Sequence, residues 1–272
     1  MLITFDYFQA FLIGCCIGSF LNVVVYRLPN DLSIVKPRSF CPKCKTKLSW
    51  RENIPLISWL IQSGKCINCG TTISLKYPLI ELTTAILFVF FVNSSPSLYS
   101  SSSYLPFNIF FSWLFLSLLI CISLIDIDSF WIPQGLINFG FLSGFLGLIF
   151  IGLFNDEFID FFLVVRCLIS SLISFFIFET LRYLAKYIYK KDAIGKGDSK
   201  LVAMLALWLG PLGTLFAVGI SYIFAAIYCL VGLSINRVKF RQVIPFAPFL
   251  SLGGLLMWYL GNEYIFRNIL RI

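Results

Sequence analysis

Apolar residues run unbroken through most of this chain, and the polar positions fall between the runs. The runs cover 5–26, 79–95, 105–127, 133–154, 159–181, 199–211, 213–235 and 244–261. They are continuous rather than alternating, so each predicts a helix that satisfies its own backbone, not a strand of a barrel. A bilayer crossing needs ~20 apolar residues. The pattern therefore predicts an all-α polytopic membrane protein of about eight transmembrane helices, with one small polar domain between helices 1 and 2. The expected division is a first transmembrane helix over 1–27, a polar domain over 28–78 and a membrane core of about seven helices over 79–272. The sixth run is short and follows a Gly-rich turn, so it is expected to enter the membrane only in part. The first run has no basic segment ahead of it and no small-residue cleavage site, and it reads as a retained helix whose start lies outside. No internal repeat at a fixed period stands out.

Composition agrees with this pattern. The chain has 272 residues, 59% hydrophobic and 12% charged. A soluble domain carries about 25% charged residues, so a soluble globular enzyme and a disordered protein are both excluded. The net charge of +8 does not point to nucleic acid, because the basic residues sort by loop. Eighteen of the 21 Lys and Arg lie in 27–78, 182–200 and 236–242. With eight crossings these three regions share one side, which the positive-inside rule makes the cytoplasm. The opposite loops differ: 96–104 is Ser-rich and uncharged, and 155–160 carries Asp156, Glu157 and Asp160 without a base.

Nine cysteines divide into two kinds. Cys15, Cys16, Cys121, Cys167 and Cys229 sit inside apolar runs, where small core residues are the expected reading. Cys41, Cys44, Cys66 and Cys69 form Cys-Pro-Lys-Cys and Cys-Ile-Asn-Cys in the polar domain, 21 residues apart. Two such pairs fit a four-thiolate Zn2+ site, since each tight turn offers two soft ligands and four make a tetrahedron. A disulfide framework is disfavoured on the reducing cytoplasmic side; unrelated cysteines or a redox pair are the alternatives. Lys43, Lys45 and Lys65 are expected to help keep the thiolates ionised. Four sulfurs leave no open position for water, so the expected role is to fold a domain with little core of its own.

The acidic residues at membrane depth carry the chemistry. An ionisable group there is costly and points to function; Glu81, Asp126, Asp128, Glu179 and Asp198 are the candidates. Asp126 and Asp128 close the third run, and Asp198 opens the sixth within Gly195-Lys196-Gly197-Asp198, at the same depth on the same side. Two carboxylates meeting in a low dielectric cannot both ionise, so one keeps a proton. That supplies a general base and a general acid from one residue type, which is aspartyl proteolysis. No His occurs in the chain, which removes Ser–His–Asp and Cys–His mechanisms. Gly195 and Gly197 are expected to let the backbone turn sharply and approach an extended peptide. The competing reading is a plain helix start with Asp198 as its cap. Asp126 and Asp128 are two residues apart and face opposite ways on a helix; the residues alone do not choose between them.

These motifs, in this order, resemble the bacterial type IV prepilin peptidases, which are bifunctional leader peptidase/N-methyltransferases of the GxGD aspartyl type. The resemblance rests on Gly18-Ser19-Phe20-Leu21-Asn22 through Arg27-Leu28-Pro29, the two Cys pairs, Glu52-Asn53-Ile54-Pro55-Leu56, Gly64-Lys65-Cys66 and Tyr77-Pro78-Leu79-Ile80-Glu81. It continues through Asp126 seven residues before Pro133, Gly195 to Leu201, and Pro245-Phe246-Ala247-Pro248. Ala247 stands where that family usually has Gly, and Gln134 where it has Asp or Asn.

The resemblance implies Asp126 and Asp198 as the catalytic pair, with Asp128 secondary. It implies prepilin and pseudopilin substrates, of type IV pili and of type II secretion, held in the lipid bilayer of the bacterial inner membrane. Their leader would be cut after a Gly at the cytoplasmic face, and the new amine methylated by S-adenosylmethionine. No soluble-type Gly-rich methyl-donor loop is present. Glu81 is a candidate to orient or deprotonate the amine, against a reading as a buried polar contact between helices, which also covers Glu179. Asn22 and Arg27 are expected at the domain junction. A peptidase without methylation, and a membrane carrier or scaffold using the acids as a proton relay, are the alternatives.

Overall fold

The computed structural model describes residues 7–92, 105–154, 161–190, 195–239 and 242–268. The loops 96–104 and 155–160, together with Lys191 and Arg241, lie outside the described residues. The chain forms two compact units, Met1–Ser94 and Ser95–Ile272. Among the described residues there is no strand, only the isolated bridges Phe40 to Lys47 and Lys65 to Thr72.

The first unit is a helix pair carrying a loop domain. Helix α1 (Tyr7–Arg27) and helix α3 (Lys76–Phe90) run antiparallel, and the short helix α2 (Ile57–Ile61) lies in the intervening segment. Small residues let α1 and α3 touch backbone to backbone. A Cβ on Gly14 would stand 2.5 Å from the Ala85 Cα, and one on Gly18 2.7 Å from the Glu81 Cα. Without a hydrophobic drive between helices in lipid, such close approach is what holds a pair together. Asn22 donates to the Tyr77 carbonyl (3.1 Å) at the end of this contact. The buried Arg27 guanidinium donates to the carbonyls of Ser33 (2.9 Å), Ile34 (3.2 Å) and Pro37 (2.7 Å), so it closes the entry into the loop domain.

The second unit holds helices α4 (Leu105–Ser129), α5 (Gln134–Phe154), α6 (Phe161–Tyr189), α7 (Lys196–Ser234) and α8 (Ala247–Asn268). At 1.5 Å per residue, 39 residues of α7 would reach roughly 60 Å, twice the ~30 Å hydrocarbon core. The helix breaks instead at Gly210, whose φ of 71° only glycine adopts freely, followed by Pro211. This break falls at the boundary between the sixth and seventh apolar runs. Every residue from Leu201 to Gly210 is buried. An arm apolar all round belongs in a core, and α6, α5 and α8 pack against α7. Trp208 is fully buried, with its ring 4.8 Å from Phe115 and 5.6 Å from Trp258. Both indoles are satisfied, Trp208 by the Gly140 carbonyl (2.9 Å) and Trp258 by the Ser112 hydroxyl (3.0 Å).

Large apolar side chains point outward in numbers no water-soluble surface carries, including Leu172, Ile173 and Phe176 on α6 and Ile223, Ile227 and Leu230 on α7. Among the described residues four helices are long and apolar enough to cross a membrane: Tyr7–Asn30, Asn108–Ser129, Phe162–Ile188 and Lys196–Ser234. Two shorter apolar helices, Gln134–Phe150 and Ala247–Gly261, accompany them. The protein is an all-helical membrane protein.

Candidate active site and metal centre

The two cysteine pairs fold as near copies of one another. In the first, Lys45 takes a left-handed conformation (φ 61°) and donates to the Cys41 carbonyl (2.9 Å), while the Cys41 N–H donates to Thr46 (3.0 Å). In the second, Gly70 (φ 68°) donates to Cys66 (2.8 Å), and the Cys66 N–H donates to Thr71 (2.9 Å). Each turn thus points two sulfurs the same way. The four Sγ atoms all lie within 4.8 Å of one another, with Cys41 to Cys69 at 3.9 Å and Cys44 to Cys66 at 4.0 Å. Tetrahedral Zn–S bonds of ≈ 2.3 Å place sulfurs about 3.8 Å apart, so the set fits a four-coordinate thiophilic metal. Neighbouring hydroxyls, rather than the lysines, favour the thiolates. The Thr71 hydroxyl, 3.2 Å from Cys69, holds its thiol down to about 6, and Thr46 lowers Cys44 in the same way. Lys45 sits instead over the Phe40 ring. The repeat behind this, Cys41-Pro-Lys-Cys-Lys-Thr46 against Cys66-Ile-Asn-Cys-Gly-Thr71, was visible in the chain but is too short to register as a period.

Glu81 lies where the loop domain meets α3. It is buried, and its Oε2 accepts the Leu56 N–H at 2.8 Å. Leu56 holds a left-handed backbone (φ 61°), a costly conformation for a leucine, and the carboxylate is what receives its amide. Above Glu81, in the same unit, is a cavity of about 410 Å³ walled by both cysteine turns, α2 and the facing ends of α1 and α3.

The second unit gathers two aspartates. Asp126 lies one turn before the end of α4, which closes with Phe130 in a left-handed conformation (φ 52°) and passes through Pro133 into α5. Its Oδ2 accepts the N–H of Ala247 (3.1 Å), the first residue of α8. Asp198 lies in the first turn of α7, and its Oδ2 accepts the Gly195 N–H (3.2 Å). Gly195, not Asp198, is therefore the N-cap of α7, and Asp198 reaches back to it from the third helical position. Asp198 is also buried, as is Asp126, and the two carboxylates are close enough to repel. Asp128 is exposed.

The glycines serve a different purpose from the sharp turn expected of them. Gly195 has φ −67° and ψ 143°, open to any residue. What both glycines supply is room. A Cβ on Gly195 would stand 3.0 Å from the Asp198 carboxylate, and one on Gly197 2.9 Å from Ile132. Three residues to which sequence reasoning gave no role also shape the site. Tyr222, on the second arm of α7, lies within electrostatic reach of Asp198, with its ring 5.1 Å from Phe246. Ser199 is fully buried and donates to Glu179 (3.1 Å), which also receives Arg182. Gln134 accepts from Lys200, joining the start of α5 to the start of α7.

Two family models match this chain. The bacterial peptidase A24 N-terminal domain covers residues 12–94, and the type IV leader peptidase family covers 113–230. The chain is 33% identical to an Escherichia coli enzyme described as processing the leader peptides of type 4 prepilin-like proteins, over 91% of each chain. The chain belongs to the type IV leader peptidase family. A prepilin leader peptidase/N-methyltransferase of Bacillus subtilis is 32% identical over 94% of each chain. One from Myxococcus xanthus is 38% identical over 73% of this chain, a match spanning 55% of that protein. No solved structure matches. The leader peptidase family model begins beyond Ser94, where the second structural unit begins, and the A24 N-terminal model ends there.

Proposed function

We propose that this family member is an aspartyl endopeptidase that removes the leader of type IV prepilins and pilin-like secretion proteins and then methylates the new N-terminus. The observation that carries the cleavage reading is the convergence of buried Asp126 and Asp198 from two helices, each carboxylate held by one backbone N–H. One aspartate, as carboxylate, takes a proton from water; the other, as acid, donates to the peptide carbonyl as the oxygen attacks. Asp126 and Asp198 then exchange roles as the amine leaves. The amides of Ala247 and Gly195 orient the two groups. Methylation is supported by the names of the relatives.

In this reading the four cysteines hold a structural Zn2+, with no reacting group bound to it, and S-adenosylmethionine is the methyl donor, with Glu81 near it. The division into residues 1–27, 28–78 and 79–272 is retained, with eight crossings: the two arms of α7 count separately and the shorter helices α3, α5 and α8 also enter the bilayer. The basic loops then lie in the cytoplasm, on the inner membrane, with the aspartates at that face. The apolar helix of the pilin stays in lipid while its leader stays in water, so a site at this depth meets the bond between them. Co-expression of a prepilin with Asp126→Asn, Asp128→Asn and Asp198→Asn variants tests the assignment. The first and third should insert normally and cut nothing, and Asp128→Asn should cut. Normal cutting by Asp126→Asn with loss in Asp128→Asn would reverse the pair.

A further inference from the structure

The cavity above Glu81 has no part in cleavage as described: every residue lining it belongs to 19–81 and none to the aspartate unit. Its size, about 410 Å³, lies in the range of sites for small organic ligands. Its walls are mostly apolar and include the rings of Tyr26, Phe40, Trp59 and Tyr77, with Glu81 as a buried carboxylate and Lys43 as an exposed cation. Arg27 also lines it, but its guanidinium is committed to the Ser33, Ile34 and Pro37 carbonyls.

Two of these groups are held rigidly. The Trp59 indole N–H donates to the Ile73 carbonyl (3.2 Å), and its ring lies against Gly64, where a Cβ would stand 2.8 Å from the ring and φ is +67°. Glu81 is fixed through the Leu56 amide. A flat ring, a cation and a carboxylate on one small molecule match this wall. The ring stacks on indole or phenol, the cation is attracted by aromatic faces and by Glu81, and the carboxylate meets Lys43.

We propose that this cavity is the binding site for S-adenosylmethionine, with Glu81 facing the sulfonium and Trp59 stacking the adenine. The inference rests on the reading that the chain methylates. Bound there, the donor would supply a methyl group: the neutral N-terminal amine forms an N–C bond as the C–S bond breaks, and the bonding pair stays on sulfur as a neutral thioether. Glu81 is placed to take the proton that the incoming ammonium must first lose. The site also explains why a closed metal centre accompanies methyl transfer. Cys41 and Cys66, first residues of the two turns, line the cavity themselves, so the metal builds its wall.

The test uses the full metal-loaded chain in detergent. Binding of labelled S-adenosylmethionine and of its neutral product S-adenosylhomocysteine is measured by equilibrium dialysis, with metal content as the check on folding. Trp59→Ala should weaken both ligands alike, by about tenfold or more. Glu81→Gln should erase the preference for the cation over the neutral product. Hydrogen exchange on the unaltered chain requires no variant to fold: the donor should slow exchange within 39–81. A chain that methylates and binds the donor, but is protected only within 95–272, overturns the site while the methylation reading stands. A chain that binds no donor and methylates no pilin overturns both.

Discussion

The two units bury their carboxylates by different means. Glu81 lies under a loop domain whose order comes from hydrogen-bonded turns and a set of four sulfurs. Asp126 and Asp198 lie at helix ends backed by a packed interior, including the stacked rings of Phe115 and Trp208. A segment of ~50 residues has too little core to fold alone, so on the proposed reading the first arrangement depends on metal; the second depends on close packing and tolerates little change in volume. The lesson is that one chain places its two acid centres under separate control, and perturbations should divide along that line.

The largest effect is expected at the aspartates. Asp198→Asn keeps size and the capping acceptor but removes the proposed acid–base function, so cleavage should fall by ~10²–10⁴. The double variant Asp126→Asn/Asp198→Asn should be no worse than either single one, because the groups act as a unit. Additive losses in single-turnover cleavage would mean two independent roles and would dissolve the pair. Next comes Cys41→Ser. Losing even an outer partner of a metal ligand costs ~10–100-fold in metal affinity, and a ligand itself matters more. Metal content and methylation should drop at least tenfold, with cleavage within about threefold. Equal loss of both activities would show that the cysteine turns support the whole chain, and the contrast between units would vanish.

How far these features were legible in the sequence follows from the range of the forces involved. Continuous apolar runs report burial in lipid or protein residue by residue, so every long helix was readable. The break at Gly210 and Pro211 was readable from local backbone chemistry. The first arm of α7 was expected only to enter the membrane in part; the structure buries it from Leu201 to Gly210. What the chain does not spell out is which distant groups meet. Asp126 and Asp128 are equivalent as residues; burial, the α8 amide and the proximity of Asp198 distinguish them in space. The Gly14 and Gly18 contact with α3, the Leu56 amide on Glu81 and the Ser199 bond to Glu179 all join positions far apart in sequence. The sharp turn expected at Gly197 was misread for the same reason, since its neighbour Ile132 lies on another segment.

Gly197→Ala should therefore act through packing. The new Cβ would stand 2.9 Å from both the Cβ and the Cδ1 of Ile132, and a Cβ cannot swing aside as a chain end can. Overpacking of this kind costs ~1–3 kcal/mol, here spent on moving the first turn of α7 and Asp198 with it. Cleavage should fall roughly tenfold or more while metal content and methylation hold. Adding Ile132→Gly, which removes the Cβ as well as the Cδ1, should restore much of the loss. Failure of that second change to help would place the requirement for Gly197 in the peptide's path rather than against Ile132.

The smallest effect should come from Ser199→Ala. Ser199 follows Asp198 directly, is fully buried, and its hydroxyl donates to Glu179 on α6 (3.1 Å), with the Lys196 carbonyl at the same distance as its other partner. The substitution leaves the Glu179–Arg182 pair intact, so no buried charge is stranded, and the cost is one hydrogen bond of ~0.5–1.5 kcal/mol. That bond ties the start of α7 to α6, so its loss should loosen Asp198 rather than the hold on substrate. The kcat for cleavage should fall ~2–10-fold with KM unchanged. A raised KM with kcat preserved would show instead that the first turn of α7 grips the peptide, and that Glu179 tunes binding rather than the reacting pair.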